Sequence, residues 1–395
     1  MVEGQPTLKS RQLLNKKFKL KKGLKVLYTN PDEVIIAKTL WSGEIYHLYD
    51  KEGTGKLARI IRFLEENENA QTKEIIKEVG EKKAVLNVIK ELLTRNCLEE
   101  IKESTFQQSL LHEFFDATIG DVKAAERIKS CNFLLIGAGL LGTRVAMQLA
   151  AIGVKSLGIM DDSNVKPSDP ILNQIYRKQN SERKRSEILA DYLKNMTEVD
   201  VFPILGISNI IEKRELESIL KKIDYVLVLF DLPHIFIYEK INEAALKTRT
   251  IWTLATFDGN LAFVGPTFVP YETACYVCFE NRLRSSLSIS DHNLYLAFKE
   301  KMKTHHVKSY YPPLPPMISD FMSGLVGIEV LSEMSLECLL AGKFCAIHIP
   351  TLTLEINNVL KLPRCPACGK NKPSRQVYLT MREVIRLAKG GKKRD

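Results

Sequence analysis

Two short cysteine pairs, Cys275-Tyr-Val-Cys278 and Cys365-Pro-Ala-Cys368, carry the strongest chemical signal in the chain. A two-residue spacer lets both thiolates of a pair reach one metal ion. Four thiolates satisfy tetrahedral zinc and leave no open position, so such a site is structural. Cys275, Cys278, Cys365 and Cys368 are therefore expected to hold one zinc and to tie two distant stretches together. Reduced thiols or disulfides are the competing readings, and two matched pairs favour the metal over either.

A second constellation is Gly137-Ala138-Gly139-Leu140-Leu141-Gly142. It follows the apolar run 131–136, which reads as a buried parallel strand, and precedes a helix expected over 143–152. In such a loop Gly137 permits the tight turn, Gly139 lets backbone approach a phosphate, and Gly142 lets helix and strand pack closely. Amides at the helix N-terminus then face the anion. Asp161 ends the next strand, 155–160, where a carboxylate can take ribose hydroxyls. Asp231 ends a third buried strand, 225–230. The pattern points to nucleotide-binding ancestry, with a dehydrogenase using NAD as the alternative.

These residues need a scaffold. Alternation of buried strands with helices over 182–196, 213–223 and 235–246 implies a doubly wound α/β sheet. Residues 310–316 are proline-rich and read as an extended loop. Residues 318–340 form a long apolar helical stretch with polar and acidic breaks at Asp320, Glu329, Glu333 and Glu337. Cys338 and Cys345 read as buried apolar residues. Ahead of this sheet, 19–30, 32–40 and 43–50 are β-rich segments separated by turn residues. Three helical stripes follow: Leu57, Ile60, Ile61 and Leu64; then Ile75, Ile76 and Val79, ended by Gly80; then Val85, Ile89, Leu92 and Leu93. A short extended piece, 98–102, closes the unit. Three strands followed by three helices resemble a winged helix-turn-helix.

Composition sets bounds. With 395 residues the chain has room for two or three domains and an ample core. Neither a membrane-length apolar run nor an N-terminal signal segment is present, so a cytoplasmic location is expected. The net charge of +10 gathers partly at the ends, at Lys16, Lys17, Lys19, Lys21, Lys22 and Lys25, and at Lys389, Lys392, Lys393 and Arg394. Nucleic acid, an acidic peptide or protein, and solvated basic ends all fit that pattern.

The glycine loop, Asp161, Asp231, the paired cysteines and the long helix before the last pair resemble the ThiF/MoeB superfamily of ubiquitin-activating-like adenylating enzymes. The resemblance covers roughly residues 125–372. It implies adenylation of a C-terminal carboxylate with ATP and magnesium. Active members carry Asp-x-Asp-x-Val, then Ser-Asn-Leu-x-Arg-Gln, then a lysine, then a metal-binding Asp. Here Asp161 and Val165 fit the first motif, but Ser163 fills the second Asp position. The next segment reads Ser168-Asp169-Pro170, and its Arg-Gln slot falls on Leu172-Asn173. The lysine slot falls near Arg185, with Lys184 beside it. Asp231 fills the metal position. Arginine and lysine neutralise the triphosphate as pyrophosphate leaves, so ATP and magnesium are not expected in this chain. Arg177 or Lys178 could substitute only from a shifted register.

Domain order narrows the resemblance. A winged-helix unit ahead of a degenerate adenylating-type domain with four zinc cysteines is similar to the C-protein of azoline-forming cyclodehydratases. That resemblance implies a recognition domain over 1–105, a linker over 106–127, a ThiF-like domain over 128–375 and a basic tail over 376–395. It implies a precursor leader peptide and a YcaO-family subunit as partners, a homodimer as a further option, and no catalytic residue in this chain. Neither membrane nor nucleic acid is expected as a partner. The leader would add as a strand beside Tyr46, His47 and Leu48, with Lys83, Lys90 and Arg95 of the third helix at the rim. The alternative is an ATP-dependent peptide adenylyltransferase of the microcin C type. A third reading is a DNA-binding regulator with an inactive enzyme domain.

Overall fold

The computed structural model describes residues 13–21, 23–39, 43–67, 69–101, 111, 114–115, 123–166, 169, 173–177, 182–206, 213–302, 315–335 and 338–369. Most of residues 310–316, Ser168, Pro170, Leu172, Lys178, Glu337 and the C-terminal basic cluster lie outside them. The chain divides into two compact units, Met1–Gly120 and Asp121–Asp395.

In the first unit, strand β1 (Lys17–Leu20) is the centre of a three-stranded antiparallel sheet. Strands β2 (Lys25–Asn30), β3 (Glu33–Ala37) and β4 (Ile45–Tyr49) form a separate meander with β4 at one edge. Helices α1 (Lys56–Glu66), α2 (Thr72–Val79) and α3 (Lys82–Thr94) follow. The partners of β1 are β5 (Ala70–Gln71), between α1 and α2, and β6 (Leu98–Glu100), after α3. The expected segment 19–30 is thus two strands, broken at Gly23, which has a φ of 85°. The two-residue β5 is too short to leave a periodic signal. The first helix buries its whole expected stripe, while Ile76 of the second and Leu93 of the third are only partly buried. Leu57, Ile60, Ile61 and Leu64 of α1 meet Ile75, Ile89 and Leu92 around Phe18, Val34, Ile36 and Leu48. A reciprocal Gln71–Glu74 capping box starts α2, and left-handed Gly80 ends it.

The second unit opens with α4 (Lys123–Ser130), β7 (Asn132–Ile136), α5 (Leu140–Ile152) and β8 (Ser156–Met160). It continues through α6 (Arg185–Met196), β9 (Asp200–Ile204), α7 (Lys213–Leu220), β10 (Tyr225–Phe230) and α8 (Ile235–Thr248). Strands β11 (Ile251–Asp258) and β12 (Leu261–Phe268) lead to α9 (Tyr276–Ser285), α10 (Ile289–Met302) and α11 (Pro316–Ser335). Strands β13 (Lys343–His348) and β14 (Thr353–Asn358) complete an eight-stranded sheet of order β14-β13-β12-β11-β10-β7-β8-β9.

The sheet is mixed rather than wholly parallel. Strands β9, β8, β7, β10 and β11 run parallel, and β12, β13 and β14 extend the sheet antiparallel. Alternate residues point to opposite faces. Leu134, Ile136, Val226 and Val228 pack with α7 and α8 residues and with the four cysteines of the two pairs. Two further boundaries differ from expectation. Helix α5 begins at Leu140, inside the glycine loop, and Pro316 opens α11 instead of ending a loop. Proline suits the first helical position because its missing amide would be unpaired there anyway. No described helix is long and apolar enough to cross a membrane.

Candidate functional site

The parallel strands bring Gly137, Gly139, Gly142, Asp161 and Asp231 to one place, at the C-terminal ends of β7, β8 and β10. Gly137 sits at φ 101°, and an added Cβ there would lie 2.2 Å from the Leu229 carbonyl oxygen. Asp161 fixes the loop. Its Oδ2 accepts the Ala138 amide at 2.7 Å and its Oδ1 the Ser163 amide at 2.8 Å.

The anion position at the start of α5 is filled from within the chain. Asp231 Oδ2 accepts the Leu140 amide at 2.8 Å, and Oδ1 accepts the Leu141 amide at 3.0 Å. A Cβ on Gly139 would stand 2.2 Å from Asp231 Oδ2, so this carboxylate lies where the second glycine admits a ligand. Burial pushes the Asp231 carboxyl up, and the Leu141 and Leu140 amides pull against it. Arg185, in the lysine slot, is buried and grips Asp169 through both guanidinium arms at 2.8 and 2.6 Å. Arg177 is exposed.

Two residues near the loop escaped the sequence reading. Tyr176 is buried and donates to the Ala138 carbonyl at 2.6 Å. His234 caps α8 with its ring 4.4 Å from that of Phe230, and burial lowers its imidazole while Asp161 pulls the other way. Neither lies in a recognisable motif, since only the fold brings positions 176 and 234 to the loop.

The second cluster is the tetracysteine group. Cys275 caps α9, Cys278 lies in its first turn, and Cys365 and Cys368 occupy turns after β14. The Cys275 sulfur is 3.9 Å from that of Cys278 and 3.6 Å from that of Cys365, and Cys278 is 3.7 Å from Cys368. A zinc–sulfur bond of about 2.3 Å requires tetrahedral sulfur edges of about 3.8 Å. The four thiols therefore fit one zinc ion, which would serve as a structural cross-link. They are too far apart for disulfides, whose sulfurs lie about 2.05 Å apart. The Leu362 amide points at Cys278 Sγ at 3.4 Å, a donor suited to a thiolate.

In the first unit, β4 and α3 meet at Tyr46. The Arg95 guanidinium lies 5.0 Å from the Tyr46 ring centre, and the Lys38 ammonium 5.3 Å. His47 is exposed and contacts Glu33 at 2.5 Å. Leu48 packs in the core, so its side chain is withheld from the surface. Lys83 and Lys90 are exposed on α3, two turns apart. The bonds Lys38 N to Glu44 O and Asp50 N to Asp32 O fix the ladder phase. By antiparallel alternation, Tyr46 and Leu48 bond toward β3, while the His47 and Tyr49 backbone faces the open edge.

The ThiF family model matches residues 114–368. The chain belongs to the ThiF family. It is 28% identical over 156 residues to the sulfur carrier protein ThiS adenylyltransferase of Escherichia coli, covering 39% of this chain and 59% of that protein. It is 28% identical over 174 residues to a probable molybdopterin-synthase adenylyltransferase of Gracilaria tenuistipitata var. liui, covering 43% and 46%. To the ubiquitin-like modifier-activating enzyme ATG7 of Yarrowia lipolytica it is 25% identical over 232 residues, covering 53% and 36%. The chain thus spans less than two thirds of each relative.

Among solved structures, E. coli MccB with ATP matches with a TM-score of 0.64 and 16% identity, over 89% of this chain and 100% of that one. The microcin biosynthetic enzyme MccB in complex with N-formylated MccA gives a TM-score of 0.62 at 15% identity, with the same coverage. PaaA gives 0.60 at 16% identity, over 87% and 100%. At these identities the likeness is one of fold.

Proposed function

We propose that the chain is the leader-peptide-binding, activating subunit of an azoline-forming cyclodehydratase in ribosomal peptide (bacteriocin) biosynthesis. It would recruit the precursor to a YcaO-family partner, which activates the amide with ATP, while this chain carries no catalytic residue. The observation that carries the reading is the glycine-loop cradle, where Asp231 already bonds the amides that would face a phosphate. Arg185 is committed to Asp169. The front unit, read as a winged helix-turn-helix over 1–105, offers an open strand edge beside α3. A homodimer and a cytoplasmic location complete the proposal.

A specific observation favours a second reading, an ATP-dependent peptide adenylyltransferase of the microcin C type. Asp161 and Asp231 both converge on the loop, and MccB, solved with ATP, shares the fold over 89% of this chain. The two readings part on nucleotide chemistry. Calorimetry with ATP and magnesium should show no binding in the micromolar range, and ATP–pyrophosphate exchange should be absent with or without peptide. A robust signal that Asp231→Ala abolishes would replace the first reading with the second.

Leader recognition makes its own prediction. A labelled leader from a neighbouring precursor gene should bind the full chain, read by fluorescence polarisation. His47→Pro should weaken binding most, because it removes an edge donor without breaking the β3–β4 ladder. Exposed ion pairs contribute about 0.2–1 kcal/mol each. Lys83→Glu with Lys90→Glu adds repulsion to that loss, so affinity should fall about tenfold. Circular dichroism guards against misfolding. Unchanged affinity in a folded His47→Pro chain would remove β4 as the docking strand.

A further inference from the structure

Helix α11 carries two carboxylates where an apolar surface is expected. Glu329 and Glu333 lie one turn apart, and each is only 1% exposed. Side chains from three strands converge on the first of them. Tyr225 OH meets Thr253 Oγ1 at 2.5 Å, Thr253 meets Thr267 Oγ1 at 2.6 Å, and Thr267 donates to Glu329 Oε1 at 2.5 Å. The Cys338 thiol donates to the same oxygen at 3.2 Å. Glu329 Oε2 has two longer contacts, the Leu340 amide at 3.2 Å and the Ser332 hydroxyl at 3.4 Å.

Glu333 is different. Both its carboxylate oxygens are buried with no hydrogen bond of good geometry among the described residues, although the Cys338 thiol lies close enough to act on the carboxyl. One donor atom from each of Glu329, Glu333 and Cys338 lies within 4.8 Å of the other two. A bare carboxylate in such a place is strongly unfavourable unless something compensates its charge. Here its named neighbours are a second carboxylate and a thiol, and both can become anions.

We propose that Glu329, Glu333 and Cys338 form a second metal site, separate from the tetracysteine cluster, that takes a zinc-class divalent cation. Magnesium and calcium select oxygen donors alone, whereas zinc accepts oxygen and sulfur together. Glu333 supplies an unengaged oxygen, Glu329 supplies Oε2, and Cys338 supplies its sulfur. Binding releases the Cys338 proton to solvent, since only the thiolate ligates. Thr267 remains hydrogen-bonded to Glu329 and holds that ligand in place, as outer partners of metal ligands do. Three protein ligands leave one position open, the arrangement of zinc sites that keep a water or bind a further group. Cys338, which keeps part of its surface in solvent, marks the side of entry.

The test is metal content of the purified full-length chain by plasma mass spectrometry, with circular dichroism to confirm folding. Wild type should hold two zinc equivalents per chain, and Glu333→Gln and Cys338→Ala should each hold one. Cobalt substitution separates the sites. The intense sulfur-to-cobalt band of the tetracysteine cluster should persist in both variants, while a weaker single-thiolate contribution disappears. Cys338→Ala is a small change at a partly exposed position, so it serves if Glu333→Gln fails to fold. A single equivalent in wild type, or two equivalents that survive in a folded variant, overturns the site and leaves the carboxyl pair sharing a proton.

Discussion

A Cys365→Ser chain should lose the zinc of its tetracysteine cluster and become insoluble, or melt far below wild type. The four sulfurs lie 3.6–3.9 Å apart along the measured edges, and all four residues are buried. Around them pack Trp252, Phe268, Tyr276 and Phe279, the two closest rings being 4.3 Å apart. Removing one ligand opens the metal position and leaves three thiols crowded in an apolar core. Without metal, their mutual contact already draws Cys278 toward thiolate and Cys275 toward thiol. Structural zinc contributes about 10–16 kcal/mol of apparent folding energy in small domains. Net stability is only about 5–15 kcal/mol, so even a fraction of that is decisive. Thermal melts with parallel metal analysis would decide it. Wild-type protein that carries no zinc, or a Cys365→Ser chain that melts with wild type, sinks the claim.

Gly142→Ala should produce the next largest loss, although the residue touches no ligand. A Cβ there would lie 1.8 Å from the Gly137 carbonyl oxygen, which is backbone and cannot rotate away. Either α5 or the loop must move. Overpacking of this kind costs about 1–3 kcal/mol and occasionally more. We expect about 3 kcal/mol, visible as a lower urea midpoint. Gly324 of α11 is the control, because nothing lies within 4 Å of its added Cβ. Gly324→Ala should be neutral or stabilise by up to about 1 kcal/mol, since alanine favours helix. Equal midpoints for the two variants would show that close approach does not hold Gly142 in place.

This contrast explains what could be read from the residues and what could not. The glycine loop and its aspartates were legible because each motif residue answers a local need of strand, turn or helix. The cysteine pairs were legible because metal geometry fixes their spacing. Strands β11 to β14 were not anticipated. Nothing in 251–268 or 343–358 marks by itself an antiparallel extension on a parallel sheet, which depends on which edge stays open. Glu329 and Glu333 read as breaks in an apolar helix, yet they are among its most buried residues. The signal was present in their four-residue spacing, which places both on one face. Cys338 read as an apolar residue and proves to be bonded to Glu329. At β4 the residues 46–48 do not form one surface, because the period of two sends Leu48 inward and His47 outward.

The carboxylate of Asp231 gives the start of helix α5 an anion of its own. A fold that borrows its anion from solution gains about 2.7 kcal/mol when the nucleotide stands at a hundred times its dissociation constant, and loses it when the pool runs down. Here helix α5 finds its counter-charge in the same polypeptide. The cradle is complete as soon as β10 is in place. On the proposed reading, in which the cradle takes no nucleotide, its persistence should be indifferent to the energy charge of the cell, in starvation as in growth.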